Sequence, residues 1–150
     1  MRPAYYDTNY LLKLQMVEAG SDDVFAHASN VLEICSALHC RAEFASAAFR
    51  KVREGAATPA DYQNLIAQFR SDCASGTIVL LPLTTAILDR VEQAFTTAPT
   101  ATFLRAADAL HLATAAENGF TEIHSNDKHL LSAAPLFGLL GVNVIPPTST

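Results

Sequence analysis

Leu104-Arg105-Ala106-Ala107-Asp108-Ala109-Leu110-His111-Leu112-Ala113-Thr114-Ala115-Ala116 is apolar almost all the way round a helix. A helix without a broad polar face is buried against other structure. The pattern predicts a helix over residues 103–118, closed by Gly119. One carboxylate, Asp108, sits in this stretch. Burying it alone costs several kcal/mol, so it must be paired, protonated or coordinated. Arg105, three residues earlier, offers an ion pair; a metal ion is the alternative.

Outward from this helix, short apolar strands alternate with helical patterns. Strands are expected over residues 3–6, 24–28, 77–81, 121–124 and 142–145. Helices are expected over residues 10–19, 31–41, 43–54, 60–75, 85–95 and 127–134, with a loop over 96–102. Asp7-Thr8-Asn9 supplies cap residues for the first helix, and Thr58-Pro59 opens the fourth. This alternation predicts an α/β fold with a mainly parallel central sheet covered on both faces. Ligands then bind beyond the carboxyl ends of the strands, where Asp7 and Asp127 fall.

The chain has 150 residues, half of them apolar and 17% charged. That suits one domain over residues 1–150 and excludes a disordered chain. No apolar run reaches the roughly 18 residues of a membrane span. An acid at position 7 comes too early for a signal peptide, so a cytoplasmic protein is expected. Cys35, Cys40 and Cys73 form no paired-ligand spacing and read as small hydrophobes in a reducing compartment. The net charge of −5 argues against tight non-specific nucleic-acid binding, though not against a nuclease whose acids hold metal.

Four acids stand in apolar or strand-end settings: Asp7, Glu33, Asp108 and Asp127. Asp7 and Asp127 each read equally well as helix caps. Glu33 lies in Val31-Leu32-Glu33-Ile34-Cys35-Ser36-Ala37-Leu38, where nearly every neighbour is apolar. If the four met, repulsion would raise their pKa values unless cations intervened. An oxygen-only cluster selects hard ions such as Mg²⁺ or Mn²⁺, which typically serve phosphoryl chemistry. Spacing alone does not show that they meet.

These residues resemble the motifs of PIN-domain ribonucleases. Tyr6-Asp7-Thr8-Asn9-Tyr10-Leu11-Leu12-Lys13 is similar to the opening motif, and Leu32-Glu33-Ile34-Cys35-Ser36-Ala37-Leu38 to the second acidic motif. Leu104–Ala115, written out above, is a very close match to the third, and His124-Ser125-Asn126-Asp127-Lys128-His129-Leu130 is similar to the fourth. Order and length resemble the VapC-type toxins of bacterial toxin–antitoxin pairs over essentially the whole chain. The interval from Gly20 to Glu33 is short for the family.

The resemblance implies a three-layer α/β/α fold and a Mg²⁺- or Mn²⁺-dependent endoribonuclease that uses metal-activated water. It implies Asp7, Glu33, Asp108 and Asp127 as metal-binding catalytic acids, with Thr8, Asn9, Arg105 and Ser125 as supporting or substrate-contacting residues. It also implies an RNA substrate, a cognate antitoxin and a homodimer. An antitoxin tail could lay an apolar helix in the groove and insert an Arg among the acids. Arg41, Arg50, Lys51 and Arg53 could line an RNA path or form a solvated helix face. His111 reads as a packed, hydrogen-bonded histidine. The alternative is a catalytically silent PIN-like module that binds RNA or protein. A receiver-type phosphotransfer domain ranks far below, because Tyr6-Asp7-Thr8 lacks the paired acids.

Overall fold

The computed structural model describes residues 1–148. Its element order is β1 (Ala4–Tyr5), α1 (Thr8–Gln15), α2 (Ser21–Ala28), β2 (Ile34–Ala37), α3 (Cys40–Arg53), α4 (Pro59–Ser75), β3 (Ile78–Leu81), α5 (Thr85–Thr97), α6 (Ala106–Glu117), β4 (Glu122–His124), α7 (Lys128–Ala133), a short 3₁₀ turn (Ala134–Phe137) and β5 (Leu140–Val142). β1, β2 and β3 pair in parallel, with Ala4 opposite Ile34 and Cys35 opposite Val79; β4 and β5 also pair in parallel. A parallel bridge between Tyr6 and His124 joins the two sets into one sheet, in the order β3-β2-β1-β4-β5.

The period-2 alternation of strand side chains divides the core into two layers. Ala4, Tyr6 and Ile78 face α1–α4 and pack with Tyr10, Leu11, Phe44 and Phe69. Tyr5, Ala37 and Ile123 face the other way, onto Ile87 of α5, Leu112 of α6 and Leu130 of α7. The fold is therefore the expected three-layer α/β/α arrangement. The apolar helix α6 is closed over on its long axis: Ala109, Leu112, Ala113 and Ala115 have no solvent contact. Cys35 and Cys40 are buried free thiols, Cys73 is half-buried, and burial pushes the first two up to about 12.

Two expected elements are corrected. Residues 24–28 belong to helix α2, not to a strand: Val24 is buried while Phe25 is exposed, with Asp22 and Asp23 in the first turn. The expected helix over residues 31–41 is instead the strand β2 and the start of α3. A continuous apolar run of this length satisfies a buried strand and a buried helix equally. Pairing decides it, because β2 supplies hydrogen-bonding partners on both its edges, to β1 and to β3. The last strand also falls earlier than expected, at Leu140–Val142.

Candidate active site

The connection after β1 leaves toward α1 on one face, and that after β4 leaves toward α7 on the other. Adjacent parallel strands whose connections diverge leave a crevice at their carboxyl ends. The Asp7 backbone N–H donates to the His124 carbonyl at 3.1 Å, which brings the two strand exits side by side.

Asp7 caps α1, its Oδ1 accepting from the Tyr10 N–H at 3.1 Å. Its Oδ2 accepts a short hydrogen bond from the Ser125 hydroxyl, and the Ser125 oxygen in turn accepts from the Asp127 N–H at 2.9 Å. Asp127 caps α7, with Oδ1 accepting from the N–H groups of His129 and Leu130. Both capping readings therefore hold; the second oxygen of Asp7 is taken by Ser125, and that of Asp127 faces Arg105. Arg105 stands over the opening: its Nη2 is 3.7 Å from Asp127 Oδ2 and its Nε is 3.5 Å from Asp108 Oδ2. The expected Arg105–Asp108 ion pair is thus present. It is loosely held, since the Arg105 side chain is 66% exposed.

Glu33 does not join them. It precedes β2, where its carbonyl accepts from the Ala4 N–H at the opening of β1. In a parallel sheet that is the amino edge, one strand length from the crevice. Its carboxylate instead receives the Cys35 thiol at 3.7 Å. The acid that does reach the crevice is Glu43, in the first turn of α3, just beyond the carboxyl end of β2. The Thr8 hydroxyl donates to Glu43 Oε1 at 2.8 Å; His111 Nε2 lies 2.6 Å and His39 Nε2 3.2 Å from the same oxygen. The Tyr5 hydroxyl meets His111 Nδ1 at 2.8 Å. Sequence reasoning passed over Glu43 because Arg41-Ala42-Glu43 looks like ordinary helix surface. The short Gly20–Glu33 interval was the signal, and placing the second acid at Glu43 lengthens it by ten residues.

The acids differ in charge state. Burial pushes the Asp7 carboxyl up to about 6, against the Ser125 hydrogen bond and nearby His111. Burial, then the neighbouring Asp127 charge, raises Asp108, with Arg105 opposing. Burial would also raise Glu43, but hydrogen bonds from His111, His39 and Thr8 outweigh it and hold the carboxyl well below the usual range. Asp7 and Asp108 are buried carboxylates disfavoured as anions, a cost that a hard divalent cation would relieve. The residues present fit such an ion.

Beside Glu43 runs a groove of about 640 Å³, lined by Thr8, Asn9, Leu12, Ala47 and Ser46, with Arg50, Lys51 and Arg105 at its sides. Of the four clustered bases, Arg50 and Lys51 face this groove, whereas Arg41 borders a separate pocket with Phe69 and Cys73. Both groove bases are partly neutralised, Arg50 by Glu54 at 2.7 Å and Lys51 by Glu18 at 2.9 Å.

An α/β/α sheet with carboxylates gathered at its switch point defines a class of candidate metal-dependent enzymes. The PIN domain model matches residues 4–135, and the chain belongs to the PIN domain family. No curated protein matches it. Among solved structures it is similar to a chain of FitAB bound to the IR36 DNA fragment, with TM-score 0.67 and 15% identity over 99% of each chain. It is also similar to a chain of VapBC2 from Rickettsia felis bound to a DNA fragment from their promoter, with TM-score 0.65 and 13% identity over 95% of this chain and 98% of that one. PAE2754 from Pyrobaculum aerophilum is similar at TM-score 0.57 and 18% identity, over 94% and 92%.

Proposed function

We propose that the protein is a Mg²⁺- or Mn²⁺-dependent endoribonuclease, the toxin of a toxin–antitoxin pair acting in the cytoplasm. The reading is supported by the placement of Asp7, Glu43 and Asp127 just beyond the carboxyl ends of β1, β2 and β4, with Arg105 linking Asp127 to Asp108 and with Asp7 and Asp108 destabilised as anions. These four residues would hold the metal. Bound there, a divalent ion lowers the pKa of water, polarises the phosphate and stabilises the leaving oxygen. The chain's own residues supply the positioning. Ser125 fixes Asp7 relative to Asp127, and Thr8 holds Glu43. The exposed Arg105 head can leave the acids for a phosphate, to which its planar fork is suited. RNA would follow the groove past Asn9, Arg50 and Lys51.

Control by a small partner belongs to the same reading. Two structural neighbours, FitAB and VapBC2, are each bound to a DNA fragment. In this chain, an antitoxin helix in the groove could place an Arg among the acids and compete with both metal and RNA. A homodimer is proposed from the family resemblance.

The test is cleavage of RNA by the purified protein with Mg²⁺ or Mn²⁺, against a chelator control. Metal-dependent products with 5′-phosphate and 3′-hydroxyl ends are expected, and Asp108→Asn should retain the fold and lose cleavage. Ends carrying a 2′,3′-cyclic phosphate would point to attack by the RNA's own hydroxyl. No cleavage, with RNA still bound, would favour a silent binding module. Growth arrest on expression, relieved by a co-expressed neighbouring gene product, is expected of the toxin.

A further inference from the structure

His39, Glu43 and His111 place one ligand atom each within 4.8 Å of one another. We propose that these three residues form a seat for a borderline transition-metal ion of the Mn²⁺, Co²⁺ or Zn²⁺ class, next to the harder seat of the aspartates. The inference rests on reading this edge as a cation site, but not on RNA cleavage.

Three donors crowd one carboxylate oxygen here, since Thr8, His39 and His111 all approach Glu43 Oε1. A divalent ion can take the place of the two ring protons, with each imidazole binding through its freed Nε2. Two imidazoles and one carboxylate suit Mn²⁺ through Zn²⁺ and give Mg²⁺ little, because Mg²⁺ prefers oxygen and keeps its waters. The support for the rings is already in place. The buried Tyr5 hydroxyl sits 2.8 Å from His111 Nδ1, so it can accept Nδ1–H and fix the tautomer that exposes Nε2. The His39 ring lies 4.3 Å from that of His111, and its Nε2 would exchange a 3.1 Å contact with the Ala107 carbonyl for the metal. His39 and Glu43 are one turn apart on the α3 boundary, a spacing that points both side chains to one side. The two seats therefore share Glu43 and are unequal: oxygen-only where it faces Asp7, Asp108 and Asp127, and nitrogen-rich where it meets His39 and His111.

Co²⁺ titration of the whole protein, read by its visible absorption, tests this without any RNA. One tightly bound Co²⁺ per chain is expected, retained in excess Mg²⁺ and displaced by Zn²⁺. His39→Gln should weaken Co²⁺ binding about tenfold or more, and Tyr5→Phe, which keeps the packing, by about 10–100-fold. Asp108→Asn should leave the Co²⁺ spectrum in place. Circular dichroism of each variant checks the fold, and Zn²⁺-induced shifts of the His39 and His111 imidazole resonances in the unaltered protein give an independent reading. Co²⁺ displaced by Mg²⁺, a spectrum lost in Asp108→Asn, equal affinity in His39→Gln, or unshifted imidazole resonances would each overturn the seat. Bound Co²⁺ with His39 dependence but no RNA cleavage in any metal would instead remove the nuclease reading alone.

Discussion

Ser125 ties together the two aspartates that follow β1 and β4, donating to one side chain and accepting from the other's backbone. Around this link, single residues make separable predictions. Glu43→Gln should abolish metal-dependent RNA cleavage, while Glu33→Gln, at the opposite edge of the sheet, should leave it within about twofold; parallel cleavage assays measure both. A twofold change is about 0.4 kcal/mol, small beside the loss of an acid holding metal. Asp7 carries a different signature. Its folded pKa, about 6, lies above the ordinary carboxylate value, so the folded state binds its proton more strongly than the unfolded chain does. The ionised group therefore costs stability once the pH rises through 6. Asp7→Asn should raise the melting temperature in chelator at pH 8 and lose that advantage as the pH falls through 6 toward the ordinary carboxylate value near 4. In the unaltered protein, Mn²⁺ should recover the same cost by ligand linkage.

Elements set the site through how closely they approach one another. Helix α7, which Asp127 caps, lies directly on β5: a Cβ added at Gly141 would sit 2.9 Å from the Leu131 backbone. Gly141→Ala must therefore push α7 off the sheet, costing about 1–3 kcal/mol by overpacking. Because Asp127 moves with the helix, metal affinity should fall together with stability; urea unfolding and metal titration of the same variant check both. The sequence signal at this scale was uneven. α6 was legible from its uniform apolarity, and α4 from its Thr58-Pro59 opening with Asp61, which forms a reciprocal capping box. α2 and β2 were exchanged, helix for strand. A short apolar run carries no periodicity strong enough to separate the two states, and only the demand of β1 and β3 for a shared partner separates them.

The whole molecule contains a second titrating pair, packed against Tyr6 and next to the Asp7 strand exit. His27 and His124 lie with ring centres 4.6 Å apart beneath Tyr6, whose hydroxyl meets His27 Nδ1 at 2.6 Å, with Glu122 at 3.9 Å from His124. Burial lowers both imidazoles, and for His124 the neighbouring His27 adds to the effect. A histidine whose folded pKa lies below its unfolded value binds protons more readily when unfolded. The stability it contributes is full above about pH 6.5 and declines as the pH falls toward the folded value. This slope is opposite to that of Asp7 over the same interval. A His27→Gln, His124→Gln double variant should lose less stability than the unaltered protein between pH 7 and pH 5, measured by denaturant unfolding. Among the described residues, no helix is long and apolar enough to cross a membrane.

Residue chemistry that acts locally could be read directly from the chain. The capping power of Asp7 and Asp127, the apolar helix around Asp108 and the alternation of strands with helices depend on neighbours within a few positions. They yielded the α/β/α class and three of the four acids proposed to hold metal. The fourth required the tertiary structure. Whether Glu33 or Glu43 reaches the crevice depends on where β2 begins, since four strand residues at about 3.3 Å each separate one edge of the sheet from the other. That boundary is set by hydrogen bonds to β1 and β3, partners roughly thirty and forty residues away in sequence, and local spacing contains no record of them.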